Sequence, residues 1–132
     1  MVLKPNKYDY GLADRLDLAQ DQTIVKGDTL AWNGSGYLQA GSKADESSDY
    51  VALESVTTTT AESTILVAPA FHSGIRFVAD FSIAMLVAQQ GIAYELSTKS
   101  VIDNEATASA NGFVLEKVLY PLSDKKGIGY WR

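Results

Sequence analysis

Residues 24–38 read IVKGDTLAWNGSGYL, and residues 50–56, which read YVALESV, follow after a polar loop. The pair Asn33-Gly34 stands between residues that favour extended structure. This pair is typical of tight β-hairpin turns, because Asn and Gly tolerate a positive φ. The tract therefore predicts a strand, a hairpin and a further strand, and it contains no residue pattern typical of catalysis.

The composition is that of a globular domain. Hydrophobic residues make up 46% of the 132 residues and charged residues 20%, proportions that predict one folded domain and not a disordered chain. The longest apolar run, residues 83–88, is far shorter than the roughly 20 residues that cross a bilayer. No apolar segment typical of a signal peptide follows Met1. We expect no membrane segment.

The charge balance disfavours a nucleic-acid partner. The net charge is −5, and Lys125-Lys126 is the one adjacent basic pair in the sequence, whereas binding along a phosphate backbone requires a basic stripe. The chain has no cysteine. This excludes disulfides, thiolate zinc sites and cysteine nucleophiles.

Residues 24–132 have the pattern of a single β-rich domain with about eight short strands. The apolar residues 64–71 predict a strand buried on both faces, with residues 75–80 as its hairpin partner. Residues 103–111 are expected to form a polar loop. The residues that we expect in the core are Leu30, Trp32, Val51, Leu53, Leu66, Val67, Phe77 and Leu115.

One segment favours a short helix. Ile83, Leu86 and Val87 fall at helical spacing, and Ser82 suits an N-cap position. The pattern predicts a helix over residues 82–90.

The end of the chain predicts a closing hairpin between residues 113–122 and 128–132. The apolar residues before and after Glu116-Lys117 alternate out of phase, and a β-bulge near this pair would bring them onto one face. The predicted fold is therefore mainly β: a small β-barrel, β-tulip-like or sandwich domain with one short helix.

The N-terminal residues 1–23 differ from the rest because their apolar residues are dispersed and keep no strand period. Two interpretations remain open. The segment is either an arm that becomes ordered on a partner or a stretch that packs across the domain itself. The apolar anchors of such an arm would be Leu3, Tyr8, Tyr10, Leu12 and Leu16.

The candidate catalytic and metal-binding residues are few. His72 is the single histidine, and no Gly-x-Ser-x-Gly motif is present, so a turn residue is the favoured interpretation. Asp45, Glu46 and Asp49 form the densest acidic group, but they do not follow an EF-hand pattern. We predict no catalytic residue, no metal site and no cofactor, and hence a protein that is not an enzyme.

Aromatic residues leave a second possibility open. They could form a platform that stacks on a sugar or a base, although aromatic residues of small β domains usually fill the core or an interface. The residues concerned are Trp32, Tyr37, Tyr50, Tyr94, Tyr120, Tyr130 and Trp131.

The order of these segments resembles the head decoration (cement) proteins of tailed bacteriophages, including the lambda-like members. The resemblance runs through residues 27–34 (GDTLAWNG), 50–54 (YVALE), 64–67 (TILV) and 74–77 (GIRF). It covers about 60 of the 132 residues. The sequence from Ser82 onward has no clear counterpart in the lambda-like members.

The resemblance implies a compact β-rich subunit, usually a trimer, that binds the outside of an expanded capsid and bridges neighbouring major capsid proteins. Its implied location is the virion exterior, after synthesis in the host cytoplasm. The residues 1–23 would then be a capsid-binding arm. The alternative from the residues themselves is a carbohydrate- or receptor-binding β module of a phage fibre or tail.

Overall fold

The protein is a mainly β structure built around two small barrels. The computed structural model describes residues 13–42, 48–71, 74–109 and 111–132, together with the backbone of residues 2–3. These residues form thirteen strands and no helix of seven residues or more. The strands are β1 Val2–Leu3, β2 Asp14–Leu18, β3 Thr23–Ile24, β4 Thr29–Trp32, β5 Leu38–Ala40, β6 Tyr50–Ala52, β7 Val56–Thr57, β8 Ser63–Pro69, β9 Phe77–Phe81, β10 Ala93–Thr98, β11 Val101–Thr107, β12 Phe113–Val118 and β13 Lys126–Trp131.

The first barrel closes in the strand order β2-β5-β4-β6-β8. Its β4–β5 hairpin confirms the prediction made from Asn33-Gly34, with Trp32 paired to Leu38. Gly34 has a φ of 83°, a backbone conformation that side chains other than Gly and Asn rarely adopt. The fully or almost fully buried core of this barrel consists of Leu18, Ile24, Leu30, Leu38, Ala52, Ile65 and Val67.

Strand β2 corrects the predicted boundary of the N-terminal arm at residue 23. All five of its residues pair with β8, from Asp14 opposite Val67 to Leu18 opposite Ser63. Leu16 packs against the first core and Leu18 is completely buried in it. The sequence did not reveal this strand because it alternates over only two apolar positions, too few to establish a period.

The structure describes only one of the other predicted anchor residues of the arm. The backbone of Leu3 lies in β1, which pairs with Phe77 and Val78 of β9 in the same chain. Tyr8, Tyr10 and Leu12 lie outside the described residues.

The second barrel is the ring β9-β11-β10-β12-β13, which closes because β13 also pairs with β9. The β12–β13 hairpin confirms the predicted closing hairpin. Its register shifts between Leu115 and Lys117, where the bulge was predicted. The core of the ring includes Ile75, Phe77, Ala79, Phe81, Met85, Tyr94, Leu96, Ile102, Phe113, Leu115, Val118 and Trp131.

Three predictions about this half of the chain are wrong. Strand β9 pairs with β1, β11 and β13 and not with β8. Most of the predicted loop 103–111 belongs to β11. The predicted helix 82–90 is reduced to one 3-10 turn, Val87–Gln89. Its apolar spacing misleads because Met85 alone of its large apolar side chains faces the core.

The two barrels touch through strand β6. Val51 packs in the core of the second barrel, together with Ala70, whereas its neighbour Ala52 packs in the core of the first. Successive side chains of a strand point to opposite faces, so this short strand contributes to both cores.

The predicted core is confirmed in five of its eight positions: Leu30, Val51, Val67, Phe77 and Leu115 are buried. Trp32 is 44% exposed, at the point where β4 leaves the barrel for its turn. Leu53 is only partly buried since β6 ends at Ala52, and Leu66 is only partly buried because it alternates with the inward-facing residues of β8.

Candidate functional site

The ionisable side chains of the described residues mainly tie strands together. Among these residues, no group of three or more His, Cys, Asp or Glu side chains lies close enough to hold a metal ion. Asp49 is described, whereas His72, Asp45 and Glu46 lie outside the described residues, so their predicted roles stay predictions. Ion pairs among the described residues include Arg15–Glu54, Arg76–Glu116, Lys99–Asp28 and Lys126–Asp80.

Glu54 joins two strands of the first barrel. Its Oε1 accepts one hydrogen bond from the Leu66 backbone N–H at 2.9 Å and another from Arg15 at 2.9 Å. The Leu66 N–H and then the Arg15 guanidinium lower the pKa of this carboxyl from its ordinary value, because both stabilise the charged form. The arrangement connects β2 to β8 through Glu54.

Asp28 and Lys99 connect the two barrels. The side chain of Asp28 is buried; its Oδ2 accepts the Val25 N–H at 2.9 Å and lies 3.0 Å from the Lys99 ammonium. The Lys99 ammonium also donates to the Thr23 carbonyl, and the Lys99 carbonyl accepts from both the N–H and the hydroxyl of Thr29. These bonds hold the β10–β11 turn on the first barrel.

Two of the seven candidate aromatics come together with Phe71 in an open groove at one end of the first barrel. Trp32 and Tyr50 meet edge to face, with ring centroids 5.8 Å apart. Phe71, which is 47% exposed, and Asp49 line the same groove, whose volume is about 250 Å³. The Oδ2 of Asp49 accepts the Trp32 backbone N–H at 3.1 Å. Exposed aromatic rings beside a carboxylate are a suitable surface for stacking and hydrogen bonding to a polar ring.

The other predicted aromatics do not join this groove. Tyr94 and Trp131 are buried, and burial raises the pKa of the Tyr94 phenol. Tyr130 lies under the Arg76 guanidinium, 4.4 Å from ring centroid to Cζ. Tyr37 lines another part of the surface with Asp17 and Glu62, and Tyr120 is an exposed side chain.

A second surface feature lies in the segment whose apolar spacing predicted a helix, and for that reason the sequence did not reveal it. Residues 82–92, which connect β9 to β10, expose several large apolar side chains to solvent. We call this segment the apolar loop. Its exposed side chains are Ile83, Leu86, Val87 and Ile92. Signals for it were the density of apolar residues and the lack of any charge between Asp80 and Glu95.

Comparison with known protein families finds no family model that matches the chain, and no curated protein matches it either. Within the described residues, no helix has the length and apolar character needed to cross a membrane. The fold and its surface features define a mainly β protein of small barrels.

Proposed function

We propose that this protein is a virion structural protein that binds the outer surface of an expanded phage capsid and stabilises it by bridging neighbouring major capsid proteins. The observation that carries the proposal is where the resembling segments lie. Residues 27–34, 50–54 and 64–67 contribute to β4, β6 and β8, which are successive neighbours in the first barrel. Three of the four resembling segments thus lie in one barrel, whereas residues 74–77 lead into β9 of the second barrel.

The chemistry of the chain supports the same proposal. A decoration protein needs adhesive surface and a stable scaffold, and it needs no reactive group. Interstrand ion pairs and two apolar cores provide such a scaffold. A symmetric oligomer, in our proposal a trimer, would multiply weak contacts to the capsid by linking them.

The test is to mix the purified protein with expanded capsids that lack it, pellet the particles and image them. We expect co-sedimentation that saturates, and added density on the outer surface at symmetry-related positions. Unexpanded capsids serve as the control for recognition of the expanded state. The proposal would be refuted if the protein stayed in the supernatant when mixed with expanded capsids in large molar excess over their binding sites.

Only part of the predicted N-terminal arm remains in this proposal. Tyr8, Tyr10 and Leu12 remain proposed capsid contacts, whereas Leu16 belongs to a barrel strand. Replacing Tyr8, Tyr10 and Leu12 with Ser together should weaken capsid binding and leave the unfolding midpoint unchanged. Unaltered capsid binding would remove the arm from the proposal.

The aromatic groove favours a second candidate function, a carbohydrate- or receptor-binding module of a fibre or tail. Trp32, Tyr50 and Phe71 supply apolar ring surface, and Asp49 supplies a hydrogen-bond acceptor. A glycan array followed by calorimetry would test it, with Trp32→Ala as the variant and Tyr120→Ala as the matched exposed control. Binding lost only in Trp32→Ala would support the module, and an array without signal would exclude it for the sugars displayed.

A further inference from the structure

The apolar loop carries four of the eight exposed large hydrophobic side chains of the described residues. Leu86 is 63% exposed, Val87 54%, Ile83 40% and Ile92 37%. From Phe81 to Tyr94 the sequence contains no charged side chain. Clustered exposed apolar side chains on a single protein molecule commonly mark an interaction site.

The loop is held in a fixed shape by buried polar groups behind it. Asn104 is almost fully buried; its Oδ1 accepts the Ile83 N–H at 3.2 Å and its Nδ2 donates to the Ile83 carbonyl at 3.3 Å. The Gln89 side chain accepts the Leu86 N–H at 2.9 Å and donates to the Asn104 carbonyl at 3.0 Å. These bonds turn the polar groups inward while Leu86 stays outward.

Three further anchors fix the loop to the second barrel. Met85 is completely buried in the second core. The Gly91 N–H donates to the Leu115 carbonyl at 2.6 Å, and the Gln90 side chain accepts the Val118 N–H at 2.9 Å. Because the loop is already ordered, a partner that covers it pays little conformational entropy.

The size of this surface limits the kind of partner. Four side chains with these exposed fractions present on the order of 350 Å² of apolar area, within the range of functional patches. A stable two-chain interface needs about 800 Å² from each partner. The loop alone is too small to hold two copies together in solution, but contacts of this size suffice when the proposed trimer links several of them on one capsid.

We propose that the apolar loop is the surface with which the protein docks onto the coat-protein lattice, with Leu86 and Val87 entering an apolar crevice on the capsid exterior. This inference rests on the proposed function. Since no charged side chain takes part, the loop's contact should survive roughly 1 M salt, where the Debye length is about 3 Å.

The test compares Leu86→Ser/Val87→Ser with Val25→Ser in binding to expanded capsids. Val25 is 55% exposed and lies between β3 and β4, away from the loop in sequence, so its variant controls for loss of an exposed apolar side chain. Circular dichroism and thermal unfolding establish that both variants are folded. We expect the loop variant to lose at least about tenfold in affinity and the control to bind like the unchanged protein.

The outcomes separate the two proposals. If the unchanged protein and the loop variant bind capsids equally well, the loop is not the docking surface, while the proposed function stands. If the unchanged protein does not bind at all, both proposals are wrong. If the variant changes only the sedimentation of the free protein, the loop covers a second copy, and the docking proposal is overturned.

Discussion

Replacing Leu18 with Ala is the sharpest test of the architecture, because the residue lies in the segment whose sequence suggested a free arm. Its side chain is 0% exposed and belongs to the first core with Leu38 and Ile65. The barrel is closed by hydrogen bonds all round, so its strands cannot move inward to fill the space. We expect a loss of about 2–5 kcal/mol in the free energy of unfolding, the range for buried Leu→Ala changes.

Urea denaturation followed by circular dichroism measures this loss. With an m-value of about 2 kcal/mol/M, a loss of about 3 kcal/mol lowers the midpoint by about 1.5 M. Leu86→Ala, at a position 63% exposed, is the matched control and should change stability by less than about 0.5 kcal/mol. A Leu18→Ala midpoint equal to that of the control would show that β2 does not contribute to the barrel, and the reasoning would be wrong.

Three further changes test other contacts. Gly129→Ala places a Cβ against the Val114 carbonyl oxygen and should cost at least about 1–3 kcal/mol by overpacking, so an unchanged melting temperature would contradict the β12–β13 pairing. The folded state lowers the pKa of Glu54 from its ordinary value of 4.5, so the Glu54 carboxylate stabilises the fold above pH 4.5 and this contribution is lost as the pH falls below 4.5. Glu54→Gln should therefore flatten the acid limb of a plot of unfolding free energy against pH. An unaltered limb would show that the Glu54 carboxylate is not the source of the pH dependence. Asp28→Ala removes the carboxylate partner of Lys99 and leaves the Val25 N–H without its acceptor, and should cost about 1.5–3 kcal/mol in urea unfolding. A neutral effect would show that this connection between the barrels is dispensable.

The sequence predicted the fold class and the hairpins with strong local turn chemistry. Asn33-Gly34 located the β4–β5 turn, and the change of apolar phase at Glu116-Lys117 located the bulge of the last hairpin. Both are local signals, in which neighbouring residues decide the geometry.

Pairings between distant strands were not predictable in the same way. Strand β2 has only Leu16 and Leu18 as inward positions, and its partner β8 lies about 50 residues later in the chain. The helix expected over residues 82–90 failed because tertiary bonds from Asn104 hold that segment as a loop. Propensity and spacing cannot anticipate a buried amide contributed by another strand.

The candidate surfaces were predictable only in part. The aromatic residues were recognised as a possible platform, but only the barrel geometry showed that Trp32 and Tyr50 meet while Trp131 is buried. The exposure of Leu86 could not be read from its residue type, since the same pattern fits a packed helix.

The double role of β6 has a consequence for how the chain folds during synthesis. The first barrel is complete once residue 69 has left the ribosome, whereas the second ring has to wait for β13, which ends at Trp131. During that interval Val51 and Ala70 have no second core to enter. The nascent chain thus exposes these apolar side chains for the several seconds that translation of residues 70–131 takes at about 5–20 residues per second. Apolar surface exposed at this stage is open to chaperones and to misassembly.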